Sequence, residues 1–173
     1  MKEIFLRSTL KIAVIAAIAV ITSLAVNAQM TAGDKAVGFN LLSGSYSNDV
    51  VGYGIGGKFA YNVTDPIRFA GELDLSVGSA GILTYNFLDF SVYGHYLFSI
   101  NPDFIIYPLV GFGLFRVKGE VLGISASDRR SVLSFGGGID YAITHKLLLN
   151  SELRYKAHGG NHILFAVGLA YKF

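Results

Sequence analysis

The chain of 173 residues has no cysteine, few prolines and 52% hydrophobic residues. The lack of cysteine excludes a disulfide framework and a lipoprotein anchor. The net charge of +2 comes from the first 28 residues, since the other 145 hold eleven basic and eleven acidic residues. A clustered basic face of the kind that binds nucleic acid is therefore not expected, and this length suits one domain.

The first segment predicts a cleavable signal peptide at residues 1–28. Its basic residues come first, at Lys2, Arg7 and Lys11, and an almost unbroken apolar run follows over 12–26. Val26 and Ala28 then occupy the −3 and −1 positions, so cleavage is expected after Ala28. The alternative is an N-terminal transmembrane anchor, for which the run is short, because such a span needs about 20 residues.

Residues 29–173 are predicted to form one domain of eight β-strands. Apolar residues alternate with small or polar ones in segments that are separated by turn-type clusters. The segments are 35–47, 51–62, 67–78, 84–98, 104–117, 131–143, 147–157 and 162–173. Every connection is short except a predicted loop at Gly119–Arg130. Short connections favour an up-and-down antiparallel barrel, and segments of this length suit a bilayer, where a strand needs about 9–11 residues.

The side-chain pattern favours a membrane barrel over a soluble one. In the third segment Leu73 and Leu75 alternate with Glu72 and Asp74, and the seventh segment alternates in the same way. Small residues and paired charges fit the narrow lumen of eight strands. A charge facing lipid at the midplane costs about 2–4 kcal/mol, so the bulky apolar faces should face lipid. A soluble lipocalin-like barrel, with the reverse polarity, is the alternative. The fifth segment is ambiguous, because both of its faces are apolar.

Nine aromatic residues are expected to form a girdle at the end of the barrel that carries the termini, if both termini are periplasmic. They are Phe59, Tyr61, Phe69, Tyr96, Phe98, Tyr107, Tyr141, Tyr171 and Phe173. The alternative explanation is the ordinary strand preference of aromatic residues.

The ending Ala166-Val-Gly-Leu-Ala-Tyr-Lys-Phe173 resembles the C-terminal assembly signal of outer-membrane barrels, which alternates apolar residues and closes on an aromatic. The signal residues would be Val167, Leu169, Tyr171 and Phe173. With the strand count, residues 29–173 resemble the OmpA/OmpX-type small outer-membrane β-barrel family over their whole length. The resemblance implies location in the outer membrane of a Gram-negative cell and insertion by the barrel-assembly machinery. It also implies contact with outer membrane lipid and lipopolysaccharide.

The sequence departs from that family in two respects. No peptidoglycan-binding domain follows Phe173, as it does in full-length OmpA proteins, so a barrel alone is expected. No long protruding strands like those of OmpX-type barrels are predicted, which argues against an adhesive or host-binding role.

The predicted inner face carries a polar network. Its members are Lys58, Arg68, Glu72, Asp74, Asp89, His95, Asp140, Glu152, Arg154 and Lys156. These side chains could form a plug in which opposite charges neutralise one another, or they could line a gated polar path. We favour the plug, because eight strands leave no room for a permanent aqueous channel.

The best enzyme candidate is the segment His158-Gly-Gly-Asn-His162, which faintly resembles the His-x-Ser-Asn motif of lipid A deacylase barrels. Gly160 stands where the nucleophilic serine should be, so the histidine has no hydroxyl to activate. A glycine hairpin loop with exposed histidines is the favoured interpretation. The loop predicted at Gly119–Arg130, with Glu120, Asp128, Arg129 and Arg130, could instead present a recognition surface, although a solvated loop is favoured.

The sequence thus predicts a non-enzymatic, monomeric outer-membrane barrel that contributes to envelope structure or surface interaction. We expect no catalytic residue, cofactor, metal site or nucleic-acid partner. The alternatives are a narrow transporter of small or apolar molecules and a lipid A-modifying enzyme.

Overall fold

The computed structural model describes residues 30–173 except 48–49, 81–82, 122–123 and 158–160, so the predicted signal peptide lies outside the described residues. The described part contains nine β-strands. They are β1 (Lys35–Ser47), β2 (Val50–Asn62), β3 (Ile67–Ala80), β4 (Leu83–Tyr96), β5 (Phe98–Asn101), β6 (Phe104–Val121), β7 (Ile124–Ala142), β8 (Leu147–Ala157) and β9 (Asn161–Lys172). None of the described residues belong to a helix that is long and apolar enough to span a membrane.

The strands close into one antiparallel barrel. Pairs of sequence neighbours build most of the wall, and pairing of β1 with β9 and of β4 with β6 completes the circle. The short β5 continues β4 past Leu97, because both strands pair with the same neighbour, β6. β4 pairs with residues 109–120 of β6, and β5 pairs with residues 104–106. The described wall therefore has eight strands, and the predicted all-β, up-and-down barrel is confirmed.

The barrel is apolar on the outside and polar on the inside. On β3, Leu73 and Leu75 are about half exposed, whereas Glu72 and Asp74 between them are 2% and 3% exposed. The same alternation runs along the other strands, because successive strand residues point to opposite faces. The predicted polarity of the faces is confirmed, and it is the one that lipid requires.

The two ends of the barrel differ. The terminal end carries Met30, the tight turns at 63–66 and 143–146, and Phe173. At the opposite end, which we call the hairpin end, β6 and β7 extend as strands of 18 and 19 residues.

The prediction of a loop at Gly119–Arg130 is wrong. β6 continues to Val121 and β7 begins at Ile124, and the two strands pair without a shift from Phe104–Tyr141 to Val121–Ile124. The expectation that no long strands protrude is therefore wrong as well. The prediction failed because a strand with water on both faces needs no apolar alternation, which was the signal used to find strands.

β6 also settles the ambiguous fifth segment. Leu109 and Phe115 face the interior, and Phe112 and Leu114 are each 60% exposed on the outer wall. Tyr107 shares the inner face with Leu109, so its predicted place in the girdle is wrong. Seven of the other predicted girdle residues are exposed at the terminal end, and Tyr141 is half-buried.

Candidate functional site

The structure places all ten predicted network residues inside the barrel. Each of them is at most 6% exposed. They comprise four cations, five carboxylates and one histidine, contributed by every long strand except β1, β6 and β9. On each of these strands the charged residues alternate with apolar residues that face outward. Because successive strand residues point to opposite faces, this alternation alone turns the charged side chains inward.

Arg154 lies at the centre of the network with no exposed surface. Its Nη2 atom is 2.5 Å from Glu72 Oε2, and its Nη1 atom is 3.2 Å from Asp74 Oδ2. The Nε atom donates to Glu152 Oε2 over 2.7 Å. Lys58 joins the same group, with its Nζ 3.1 Å from Glu72 Oε1 and in direct contact with Glu152. Two cations therefore share three carboxylates in the middle of the lumen.

A second group lies beside the first, toward the terminal end. Arg68 Nη1 is 2.6 Å from Asp140 Oδ2, and Arg68 Nε donates to His95 Nδ1 over 3.0 Å. The Tyr107 hydroxyl donates to Glu152 Oε1 over 2.7 Å, and Asn150 Nδ2 donates to the Tyr107 hydroxyl over 2.6 Å. Tyr107 thus connects the two groups. Its ring also stacks on His95 and lies 4.5 Å beneath the Arg68 guanidinium.

A third group lies toward the hairpin end. Asp89 is the direct cross-strand neighbour of Asp74, an arrangement that is unfavourable unless cations separate the two charges. Lys156 Nζ is 3.0 Å from Asp89 Oδ2, and the Ser91 hydroxyl donates to Asp89 Oδ1 over 2.6 Å. Each of the four buried cations therefore contacts at least one described carboxylate.

Buried apolar layers close the network at both ends. At the terminal end, Met30 is 1% exposed and packs in a cluster with Leu97, Ile105 and Leu148. The segment that carries Met30 is fixed to the rim, because Gly33 donates to the Asn62 carbonyl and Ala32 donates to the Asp65 carboxylate.

The layer at the hairpin end is aromatic. The Tyr46 and Phe87 rings stack with centroids 4.0 Å apart, and Phe115 packs 5.7 Å from Phe87. His162 meets the edges of Tyr46 and Phe115 and is buried, so its predicted exposure is wrong. His158, Gly159 and Gly160 of the predicted loop lie outside the described residues.

Little space remains between the described members of these groups, because none of the ten network residues is more than 6% exposed. One cavity near the terminal end, lined by Lys58, Arg68, Asp140 and Asn150, has a volume of about 10 Å³. That is roughly the volume that one water molecule requires. Within the described part of the chain, no group of histidine and acidic residues has an arrangement that could hold a metal ion.

Sequence reasoning missed several members of the interior. Tyr107 was missed because both faces of its strand are apolar. The signal that could have placed it inside is its even spacing from Gly111 and Gly113, which puts all three residues on one face of the strand. Asn150 and Ser91 lie on strand faces that were predicted to point inward. Phe87 and Phe115 are diagonal neighbours on the paired strands β4 and β6, and closure of the barrel brings Tyr46 of β1 against both rings.

Three of the predicted assembly-signal residues, Val167, Leu169 and Tyr171, lie on β9, which closes the barrel against β1, and Phe173 follows the end of that strand. Leu169, Tyr171 and Phe173 are exposed on the outer wall, and Val167 is half-buried there. Phe173 exchanges two backbone hydrogen bonds with Lys35.

An apolar outer wall around a charged, filled lumen defines a transmembrane β-barrel. Residues 13–173 match the family described as outer membrane protein beta-barrel domain. The chain belongs to that family, and it lies in the cell outer membrane.

Solved structures of small outer-membrane proteins share this fold. The attachment invasion locus protein Ail of Yersinia pestis is 18% identical with a TM-score of 0.62, covering 83% of this chain and 100% of that one. Neisserial surface protein A is 17% identical with a TM-score of 0.64, covering 81% and 96%. OprG from Pseudomonas aeruginosa is 16% identical with a TM-score of 0.56, covering 83% and 97%. These identities support the shared fold alone. No curated protein sequence matches the chain significantly.

Proposed function

We propose that this protein is a non-conducting, non-enzymatic barrel that contributes to envelope structure and presents the β6–β7 hairpin at the cell surface. The observation that carries the proposal is the filled lumen. Paired charges occupy its middle, and the layers around Met30 and around Tyr46 and Phe87 close its two ends. A transporter would need the charged middle of the lumen and both closing layers to move together.

The hairpin favours surface interaction as one part of this role. From Ile124 to Val132, β7 has no described strand on its far side, because its pairing with β8 begins at Leu133. Nine residues expose about 30 Å of strand edge, and such an edge can pair with an extended segment of a partner. Ail, which shares the fold, is an attachment protein by its name, and we extend that role to this chain as a hypothesis.

The orientation follows from the lengths of the connections. Barrels of this kind have short periplasmic turns and longer extracellular loops. The terminal end has tight turns at 63–66 and 143–146, and the long hairpin lies at the other end. We therefore place the hairpin end at the cell surface, in contact with lipopolysaccharide, and the terminal end in the periplasm. The barrel-assembly machinery would insert the barrel as a monomer.

The non-enzymatic part of the proposal rests on Gly160, which stands where a nucleophilic serine would be needed, and on the position of His162. His162 packs edge-on against the Tyr46 and Phe115 rings inside the hairpin-end layer. A histidine held there supports packing of the layer rather than catalysis at the lipid surface.

Conductance measurements test the filled lumen. Purified, refolded protein added to a planar bilayer should show no stable channel, whereas a porin under the same conditions serves as the positive control. Reproducible channels with a defined conductance would contradict the proposal and favour the transporter alternative.

A further inference from the structure

Outward-facing charges are rare among the side chains that the structure describes on the wall, where they are confined to two places. Among the described strand side chains, those that point outward and carry charge are Lys35, Arg116, Lys118 and Arg129. Lys35 lies at the terminal end. The other three lie together on β6 and β7, at the base of the hairpin, and all are cations.

The three cations form a compact patch. Arg116 and Arg129 are direct cross-strand partners. Side chains in such positions start about 5 Å apart, and like charges placed there repel each other. Lys118 follows two residues along the same face of β6, about 7 Å from Arg116. On the other side of Arg116 the partner in β4 is Leu88, and the partner of Lys118 is Asn86. Neither neighbour supplies a negative charge.

The patch differs from the buried cations of the barrel. Each buried cation contacts a carboxylate, but no described ion pair includes Arg116, Lys118 or Arg129. Asp128, the acidic residue next to Arg129, points to the opposite face of β7 and pairs with Arg130 over 2.5 Å. An anion from outside would relieve the repulsion between Arg116 and Arg129.

An apolar groove runs beside the patch on the outer wall. Its volume is about 460 Å³, its apolar lining includes Ile55, Leu75, Val77 and Leu88, and Arg116 and Lys118 form part of its border. The groove belongs to the lipid-facing wall, and the cations lie where that wall meets the surface. A charge at this height costs little, whereas the same charge at the midplane is expensive.

We propose that Arg116, Arg129 and Lys118 bind a phosphate of a phosphorylated outer-leaflet glycolipid, with an acyl chain of the same molecule lying in the groove. The inference rests on the proposed function, because it needs the hairpin end to face the outer leaflet. A phosphate between two guanidinium groups receives charge-assisted hydrogen bonds, for which arginine is especially suited. A soluble polyanion would use the cations but not the apolar groove, so the groove favours a lipid.

Calorimetric titration of the refolded protein in detergent micelles tests the site. The probes are bisphosphorylated lipid A, dephosphorylated lipid A with the same acyl chains, and inorganic phosphate. We expect about tenfold tighter binding of the bisphosphorylated lipid than of the dephosphorylated lipid. The double variant Arg116→Gln/Arg129→Gln should lose this preference. Arg130→Gln, which removes one charge from the inner face of the same hairpin, should retain it.

Equal affinity for the two lipids, or an unchanged preference in the double variant, would overturn the proposal. Displacement of the lipid by inorganic phosphate at comparable concentration would also overturn it, because the patch would then select a free anion. Gel mobility before and after heating shows that each variant is folded. Channel recordings on the same samples separate the two proposals: a closed lumen without lipid preference leaves the proposed function intact.

Discussion

Arg154 shows how strongly the interior depends on single residues. It is fully buried and forms ion pairs with Glu72, Asp74 and Glu152, which together with Lys58 form the centre of the lumen. Replacing a buried ion-pair partner leaves the other charges without compensation, in a region from which water is largely excluded.

We therefore expect Arg154→Gln to reduce the free energy of unfolding by about 3–5 kcal/mol, as measured by urea denaturation in lipid vesicles. Arg130→Gln is the control, because the Arg130–Asp128 pair is more than half exposed and contributes about 0–1 kcal/mol. A loss for Arg154→Gln no larger than that of the control would show that the network does not stabilise the barrel.

Two adjacent glycines on β2 separate packing inside the lumen from packing against lipid. A Cβ atom on Gly56 would clash with Asp74 Oδ1, whereas one on Gly57 would meet nothing within 4 Å. Gly56→Ala should displace the Asp74 carboxylate from Arg154 and cost about 1–3 kcal/mol of unfolding free energy. Gly57→Ala should be neutral or slightly stabilising, because alanine loses less backbone entropy in a strand. Equal effects of the two substitutions would contradict this assignment of faces.

At the scale of elements, the β6–β7 hairpin was the feature that the sequence concealed. Its outer part holds Ser125, Ser127, Asp128, Arg129 and Arg130, which have no apolar alternation. In the membrane-spanning part, lipid enforces alternation; above the membrane, both faces meet water and nothing enforces it. Hydrogen bonding to β6 extends β7 there, and β6 is itself paired with β4 as far as Glu120.

The orientation of the hairpin can be tested on intact cells. An epitope inserted between Leu122 and Gly123 should be recognised by antibody without permeabilisation, because the hairpin end is proposed to face outward. The same epitope in the turn at 143–146 should be recognised only after the outer membrane is opened. The reverse pattern would place the hairpin in the periplasm and remove the basis for a surface role.

For the whole molecule, closure depends on β9 meeting β1. Phe173 exchanges two backbone hydrogen bonds with Lys35, and its ring is 59% exposed toward lipid. Phe173→Ala keeps both backbone bonds, so the refolded barrel should lose no more stability than Phe165→Ala, whose ring is exposed on the same face of β9.

We expect Phe173→Ala alone to lower the amount of barrel in the outer membrane of cells, because the terminal aromatic is proposed to be read by the assembly machinery. Quantitative immunoblotting of membrane fractions measures this amount for both variants. Equal amounts of Phe173→Ala and Phe165→Ala would contradict a role for Phe173 as an assembly signal.

The sequence by itself determined the architecture and its environment. Strand residues alternate between faces, so the pattern of Leu73 and Leu75 against Glu72 and Asp74 reveals two surroundings. The lipid-facing surface excludes charged side chains, and the narrow lumen excludes bulky ones. The sequence therefore also indicates which face of a strand points to lipid and which points to the lumen. These inferences depend only on the order of the residues within a single strand.

Only the tertiary structure decided what meets across the lumen. Lys58 contacts Glu152 at a separation of 94 positions, and the ring of Phe115 packs against that of Tyr46, whose strand is not paired with β6. Such contacts depend on the stagger between strands around the closed barrel, which no single strand encodes. The inner face of β6, the length of the hairpin and the opposition of Arg116 to Arg129 likewise follow from register, because register determines which side chains become neighbours.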